Sequence, residues 1–174
     1  MTLYKRLLLF VTLFGMGWML SPAHEATAQQ PLRPRFGLGF NTTLTTAEGV
    51  LGLGLRARTS APVNTDLSFA VDLGVTGFIL RGRDDATYVF DPQLSAIVTL
   101  NAGQQRTPYI LGGIGAYVPF GGDDEEESGP TLHGGFGWVQ ALSNTTLFYE
   151  IDPALIIGET AVDLVLPFRI GVIF

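Results

Sequence analysis

Beyond residue 34, apolar residues occupy every second position through most of the chain, and this pattern constrains the fold more than any other feature. In the segment 66–77, for example, Leu67, Phe69 and Val71 are separated by small or polar residues. Successive side chains of a strand point to opposite faces, so a period of two predicts strands with one apolar and one polar face. Helical periodicity is almost absent there, and the chain is predicted to be all-β.

Eight such segments are separated by turn or loop signals. They cover residues 35–41, 50–59, 66–77, 88–100, 108–118, 131–140, 146–157 and 162–174. Glycines leave the two faces of the fifth segment unassigned. Eight segments in the last 146 residues give about eighteen residues per strand and connection, which suits strands of roughly 9–11 residues that cross a bilayer at a tilt. An even number of strands predicts that both ends of the chain lie on the same side.

Two of the segments contain an Asp-Pro pair, ending at Pro92 and at Pro153. Proline has no N–H to donate to a neighbouring strand and is rare inside sheets. Both sites are therefore predicted to be bulges or to lie near a rim of the sheet.

The first 28 residues have the pattern of a secretory signal peptide. Lys5 and Arg6 precede a largely apolar, uncharged run at 7–20, and Ala26 and Ala28 form a small-x-small cleavage site. The run is short for a membrane helix, although an uncleaved anchor is the alternative. The predicted division is a signal peptide at 1–28, a short linker at 29–34 and one β domain at 35–174.

The composition excludes one class of partner. Removing Lys5, Arg6 and Glu25 from ten basic and sixteen acidic residues leaves eight arginines and fifteen carboxylates, a formal charge of −7. An acidic chain lacks the basic surface that binds nucleic acid. The chain also has no cysteine, so disulfides cannot stabilise the exported protein.

The polar faces of the segments carry both glycines and charges. Alternation alone is also compatible with a soluble sandwich, but glycine in mid-strand is costly unless space is limited, as it is in a narrow barrel. We therefore predict an eight-stranded antiparallel up-and-down transmembrane β-barrel whose apolar faces meet lipid. The charges are then predicted to pair inside the lumen. The predicted network comprises Arg56, Arg58, Asp72, Asp91, Glu150, Asp152, Asp163 and Arg169.

The signal peptide, the eight segments, the stretch "PYILGGIGAY" at 108–117 and the final Phe174 together resemble the small OmpA-like and OmpX-like barrels of Gram-negative outer membranes. The resemblance implies an outer-membrane location, lipid and lipopolysaccharide as neighbours, and a monomeric protein without a cofactor. It also implies that the barrel-assembly machinery reads the last strand. The residues that would carry this signal are Phe168, Ile170, Val172 and Phe174. Gly171 departs from the family, because it lies nearer the end than the usual signal places its glycine.

Few residues of the chain suggest a catalytic role. His133 is the one histidine beyond the signal peptide, and Gly135 breaks the His-x-Ser pattern of lipid A deacylases. A hydrogen-bonded histidine at the rim or in the lumen is the simpler interpretation. No phosphate-binding loop, dinucleotide fingerprint or zinc cluster is present.

An acidic run in one connection is a weak candidate for a divalent-cation site, since Ca²⁺ and Mg²⁺ prefer oxygen ligands. A solvated loop is the simpler interpretation, because adjacent carboxylates repel one another. The run comprises Asp123, Asp124, Glu125, Glu126 and Glu127.

The leading prediction is a barrel with a structural or surface-binding role that presents extracellular loops and has no open pore. One alternative is a soluble exported barrel that holds a small apolar ligand, as lipocalins do. The other is an outer-membrane enzyme that modifies lipid A. The sequence identifies no catalytic constellation, cofactor or resident metal.

Overall fold

The computed structural model describes residues 33–46, 50–78, 87–100, 106–121 and 128–174. In these ranges the chain forms nine antiparallel strand segments. They are β1 (Arg35–Thr45), β2 (Leu51–Pro62), β3 (Leu67–Phe78), β4 (Thr87–Thr99), β5 (Arg106–Phe120), β6 (Gly129–Ala141), β7 (Thr146–Ile151), β8 (Ala154–Ile157) and β9 (Val162–Ile173). Within the described ranges, no helix is long and apolar enough to cross a membrane.

Each segment from β1 to β6 pairs with the next one in sequence, and β9 pairs with β1 to close the sheet. Segments β7 and β8 lie end to end between β6 and β9, so together they form the seventh barrel strand. The barrel therefore has eight strands, which confirms the predicted fold. The signal peptide lies outside the described residues.

The seventh barrel strand is interrupted at Asp152 and Pro153 without a change of register. On β6, Phe136 pairs with Ile151 and His133 with Ala154, so three residues separate the pairs on both strands. No residue has been inserted, and the predicted bulge is wrong at this site.

Pro92 shows the same behaviour. On β4 and β5, Phe90 pairs with Val118 and Gln93 with Gly115, so the spacing is again three residues on each side. The prediction of a bulge or rim position is therefore wrong for Pro92 too. Because proline has no N–H, Pro92 cannot donate a hydrogen bond to the neighbouring strand. The other hydrogen bonds between the two strands keep them in register.

The two faces of the sheet are oppositely composed. Leu53 is 66% exposed on the outside, whereas Arg56, three residues away on the same strand, is 3% exposed in the lumen. Leucine, valine, isoleucine and phenylalanine dominate the outer surface from β1 to β9. A charged lumen does not suit the small apolar ligand that the lipocalin-like alternative requires.

The fifth strand, whose faces the sequence left unassigned, follows the same rule. Tyr109 and Leu111 are buried in the lumen, and Ile110 and Ile114 are exposed outside. Aromatic side chains stand at both ends of the outer surface, with Phe36 and Trp138 at the end where β1 begins.

At the opposite end, the rings of Tyr88 and Phe120 stack with centroids 5.8 Å apart. Aromatic girdles of this kind flank the apolar band of transmembrane barrels.

Candidate functional site: the charged lumen

The buried charged side chains described in the barrel form one cluster across its interior, together with Gln93, Tyr109 and His133. They come from the inward faces of β2, β3, β4, β5, β6, β7 and β9, and from the Asp152 interruption. Because inward positions recur every two residues, strands far apart in sequence bring these groups to the same depth. The cluster, called the lumen network below, comprises Arg56, Arg58, Asp72, Asp91, Gln93, Tyr109, His133, Glu150, Asp152 and Arg169.

Glu150 lies at the centre of the lumen network. Arg58 donates to both of its carboxylate oxygens, from Nη1 at 2.7 Å and from Nη2 at 3.0 Å. Arg169 Nη1 lies 2.7 Å from Oε1, and the Tyr109 hydroxyl donates to Oε2 at 2.8 Å. A two-pronged arginine–carboxylate pair is the strongest of these geometries and fixes the orientation of both side chains.

Arg58 is held on three sides. Its Nε donates to Asp72 Oδ1 at 2.9 Å, and its guanidinium carbon lies 5.1 Å from the centre of the Phe148 ring. A cation above an aromatic face is attracted by the ring quadrupole.

His133 joins the lumen network through Asp152. Its Nδ1 lies 3.0 Å from Asp152 Oδ1, and the other carboxylate oxygen accepts from Arg169 Nη1 at 2.6 Å. The second ring nitrogen of His133 faces Gly113 of β5, where an added Cβ would come within 2.8 Å of it. Glycine at this position therefore leaves room for the imidazole beside the neighbouring strand.

The third arginine, Arg56, pairs with Asp91 and donates to Gln93 Oε1 at 3.2 Å. The same Gln93 oxygen accepts from Arg169 Nη2 at 3.0 Å, so Gln93 links two guanidinium groups. Asp72 Oδ1 lies 3.8 Å from Arg56 and completes the connection to Arg58. Each arginine and each carboxylate of the network therefore has at least one oppositely charged neighbour, as buried charges require.

The space left above the lumen network is small. A cavity of about 20 Å³ is bordered by Asp91, Gln93 and Thr131 on one side and by apolar side chains on the other. A volume of this size holds about one water molecule. Beyond it, Ala154, Ile156, Val165 and Tyr117 pack together. At this point of the described lumen, the side chains of the barrel therefore leave room for about one water molecule.

Seven of the eight charges predicted for the lumen come together in this cluster, and Asp163 does not. Asp163 pairs with Ile156 beside the start of β9 and is exposed. Its parity is that of an inward residue, but at the strand end the side chain reaches solvent. Tyr109 is not among the residues predicted from the sequence, because glycines hide the two faces of β5, and Gln93 is an uncharged member that the prediction did not include.

His133 is enclosed and 4% exposed. It does not face lipid, and its one hydrogen bond among the described residues is to a carboxylate rather than to a serine hydroxyl. No three histidines, aspartates or glutamates are grouped for metal binding in the described part of the chain. The acidic run at residues 123–127 lies outside that part, so its cation site stays a prediction.

The four residues assigned to the assembly signal share the outer face at the end of the chain. Phe168, Ile170 and Phe174 are exposed, and Val172 is partly so. The backbones of Phe174 and Phe36 exchange hydrogen bonds of 2.8 and 3.3 Å. This strand therefore closes the barrel against β1, and its role in assembly stays a prediction.

The closed eight-stranded barrel and its outward apolar surface define the class to which the fold belongs, the small barrels of bacterial outer membranes. No protein-family model and no curated protein matches the sequence. Three solved structures illustrate the fold. Neisserial surface protein A superimposes with a TM-score of 0.65 at 16% identity, over 80% of this chain and 94% of that one.

The second is the N-terminal β-barrel domain of Pseudomonas aeruginosa OprF, with a TM-score of 0.53 at 12% identity, over 80% of this chain and 97% of that one. The third is Ail, the attachment invasion locus protein of Yersinia pestis, with a TM-score of 0.55 at 11% identity, over 81% and 97%. At these identities the shared property is the fold.

Proposed function

We propose that the protein is an outer-membrane β-barrel with a structural or surface-binding role, which presents the connections at one end of the barrel outside the cell. The observation that carries this proposal is the inverted distribution of its side chains. Leu53, Phe69 and Ile114 are at least half exposed, while Arg58, Asp72 and Glu150 are almost completely buried. Monomeric soluble proteins rarely expose contiguous apolar patches above a few hundred Å². An apolar band around a closed sheet matches hydrocarbon instead.

The lumen network supports a barrel without an open pore. An eight-stranded barrel is just wide enough for its own side chains to fill. Here Arg58 reaches across the interior from β2 to Glu150 of β7, and Arg169 donates to the same carboxylate from the neighbouring strand β9. The cavity described beside the network holds about one water. We therefore expect that solutes larger than water do not pass through that region.

Because the number of barrel strands is even, the start of β1 and the end of β9 lie on the same side of the membrane. We assign this side to the periplasm, because an exported chain is delivered there. The connections at 46–50, 79–86, 121–128 and 158–161 then lie outside the cell. Lipid and lipopolysaccharide surround the barrel in this arrangement, and the barrel-assembly machinery inserts it as a monomer. Two of the structures with this fold are named a surface protein and an attachment protein, which supports a surface role.

Labelling of single cysteines tests the location and the orientation together. The chain has no cysteine, so Ser128→Cys and Ser143→Cys each introduce a unique thiol, and both positions are exposed at opposite ends of the barrel. In intact Gram-negative cells lacking long lipopolysaccharide chains, a membrane-impermeant maleimide should label Ser128→Cys. It should label Ser143→Cys only after the outer membrane is opened.

Recovery of the protein in a soluble fraction would contradict the membrane location. Labelling of Ser143→Cys alone in intact cells would leave the location in place and reverse the orientation. Unheated samples should also run faster than boiled ones in gel electrophoresis, as a closed barrel resists detergent.

A further inference from the structure

A groove lies on the outer surface of the barrel, at the end where β1 begins and β9 ends. It has a volume of about 540 Å³ and is bordered by Arg106, Pro108, Trp138, Gln140 and Tyr149. That volume is within the range of small-molecule sites, about 300–1,000 Å³. We propose that this groove binds the phosphate of an anionic glycerophospholipid in the leaflet at that end. The inference rests on the proposed function, because it requires the apolar band to lie in hydrocarbon.

The strand register arranges the groove in two layers. Arg106 pairs with Gln140 across β5 and β6, and one step further into the band Pro108 pairs with Trp138. Trp138 in turn pairs with Tyr149 of β7. A polar layer therefore lies at the end of the strands, and an aromatic layer lies beside it toward the membrane centre. This order matches a phospholipid, whose charged headgroup lies above the glycerol backbone and the acyl chains.

The polar layer has an unused cation. Arg106 is exposed, and no hydrogen bond or ion pair to another described residue engages its guanidinium. The three arginines of the lumen network are all paired with carboxylates. A planar guanidinium presents paired donors that fit phosphate oxygens, and the Gln140 amide beside it supplies another donor. Charge complementarity therefore favours an anionic headgroup.

The aromatic layer is supported by a contact between two rings. The Trp138 ring stands edge-on to that of Phe136, with centroids 5.2 Å apart and planes at 83°. Trp138 and Tyr149 remain 43% and 38% exposed, so both rings offer a surface to a lipid. Tyrosine and tryptophan favour the membrane interface because one side of each ring system is apolar and the other carries a polar group. Together they would hold the upper acyl chain while Arg106 holds the phosphate.

Trp138 also reports on the groove. The chain has two tryptophans, so Trp18→Phe in the full chain leaves Trp138 as the only one, whether or not the signal peptide is removed. The protein is purified from outer membranes and reconstituted in phosphatidylcholine vesicles that contain one tenth dibrominated phosphatidylglycerol. Bromine quenches tryptophan on contact. Parallel vesicles contain one tenth dibrominated phosphatidylcholine and give the quenching expected from random contact.

We expect brominated phosphatidylglycerol to be enriched at Trp138 by about fivefold over brominated phosphatidylcholine, the factor that one arginine near a membrane surface provides. Arg106→Gln should reduce this enrichment to about one. Arg35→Gln is the matched control, because it removes the same charge from an exposed position at the same end of the barrel, on β1. It should leave the enrichment unchanged.

Three results would overturn the inference: no enrichment in the parent protein, full enrichment in Arg106→Gln, or an equal loss in Arg35→Gln. The last result would show attraction to the whole surface rather than to the groove. Flotation with the vesicles and the gel shift of unheated samples separate this failure from that of the proposed function. A protein that floats, shifts and shows no enrichment refutes the lipid site alone, whereas one that does not associate with vesicles refutes both.

Discussion

Glu150 receives more hydrogen bonds than any other side chain described in the lumen. Four donors from Arg58, Arg169 and Tyr109 fill its two oxygens, and the carboxylate has no contact with solvent. A buried ion pair gains little over a well-packed apolar pair, but removing one member leaves the other charge uncompensated. Loss of the Glu150 charge should therefore lower the free energy of unfolding, because this carboxylate compensates the charges of two buried guanidinium groups.

Replacing Glu150 with glutamine keeps the shape and removes the charge. We expect Glu150→Gln to lower the free energy of unfolding by about 3–5 kcal/mol, because Arg58 and Arg169 then remain buried with too few acceptors. Urea unfolding in vesicles, followed by the fluorescence of Trp138, measures the change.

Glu159→Gln makes the same chemical change in the exposed turn after β8 and serves as the control. It should change stability by less than about 0.5 kcal/mol, as surface substitutions usually do. Equal stabilities for the two variants would show that Glu150 is not the centre of the network.

At the scale of the strand, two prolines explain why the seventh barrel strand is interrupted. Pro153 accepts a bond from the Gly134 N–H at 3.1 Å, and Pro167 of β9 accepts one from the Asp152 N–H at 3.2 Å. Neither proline can donate the return bond. One ladder bond is therefore missing on each side of the same position. The interruption is local because the register on both sides is the same.

For a single strand, the sequence predicts some properties of a residue and not others. A period of two determines which face a residue occupies, and it assigned Arg56 and Leu53 correctly. It contains no information on depth, and Asp163 therefore has the right parity but lies at the solvent-exposed end. In β5, glycines replace the side chains that would show the alternation. The inward face of this strand therefore could not be assigned from the sequence, and the inward position of Tyr109 was not predicted.

The last strand, β9, has two separable properties. It closes the barrel against β1, and by resemblance it is expected to be recognised during assembly. We predict that Phe174→Ala reduces the amount of folded protein in the outer membrane several-fold in growing cells. Folding of the same variant from urea into detergent should be nearly normal, because its backbone bonds to Phe36 remain. Boiled and unboiled gel samples measure the folded fraction in both settings.

Phe36→Ala is the matched control for Phe174→Ala. The two phenylalanines exchange backbone hydrogen bonds, and they are 56% and 60% exposed on the same outer surface. Equal losses from the two variants in cells would show that packing at the membrane interface, rather than recognition of the last residue, is responsible.

On the scale of the whole molecule, the lumen network connects parts of the chain that are remote in sequence. Arg58 and Glu150 are 92 positions apart, and Gln93 and Arg169 are 76 apart. The sequence indicated that these charges share the interior, but their pairing depends on barrel diameter and strand stagger, which no local pattern encodes. A sheet that has not closed cannot form these pairs, so closure and charge compensation should occur together.

The lumen network leads to a prediction about transport. Vesicles containing the protein should not swell in solutions of small sugars, and planar bilayers should show no steady conductance above that of empty membranes. A sixteen-stranded porin in the same vesicles is the positive control, since barrels of that size leave an aqueous channel. Swelling comparable to the porin would show that the lumen network does not block the interior.

Because Phe36 and Phe174 are neighbours, the chain could be circularly permuted. The strands would then follow one another in a different order along the sequence but keep the same order around the barrel. A short linker between the two ends, with a new opening at the turn 142–145, would leave every strand pair intact, and circular permutation is often tolerated at such sites. The rearranged protein would finish on β6 instead of β9. Its insertion in cells would show whether the assembly step requires β9 as the last strand or requires only that the barrel can close.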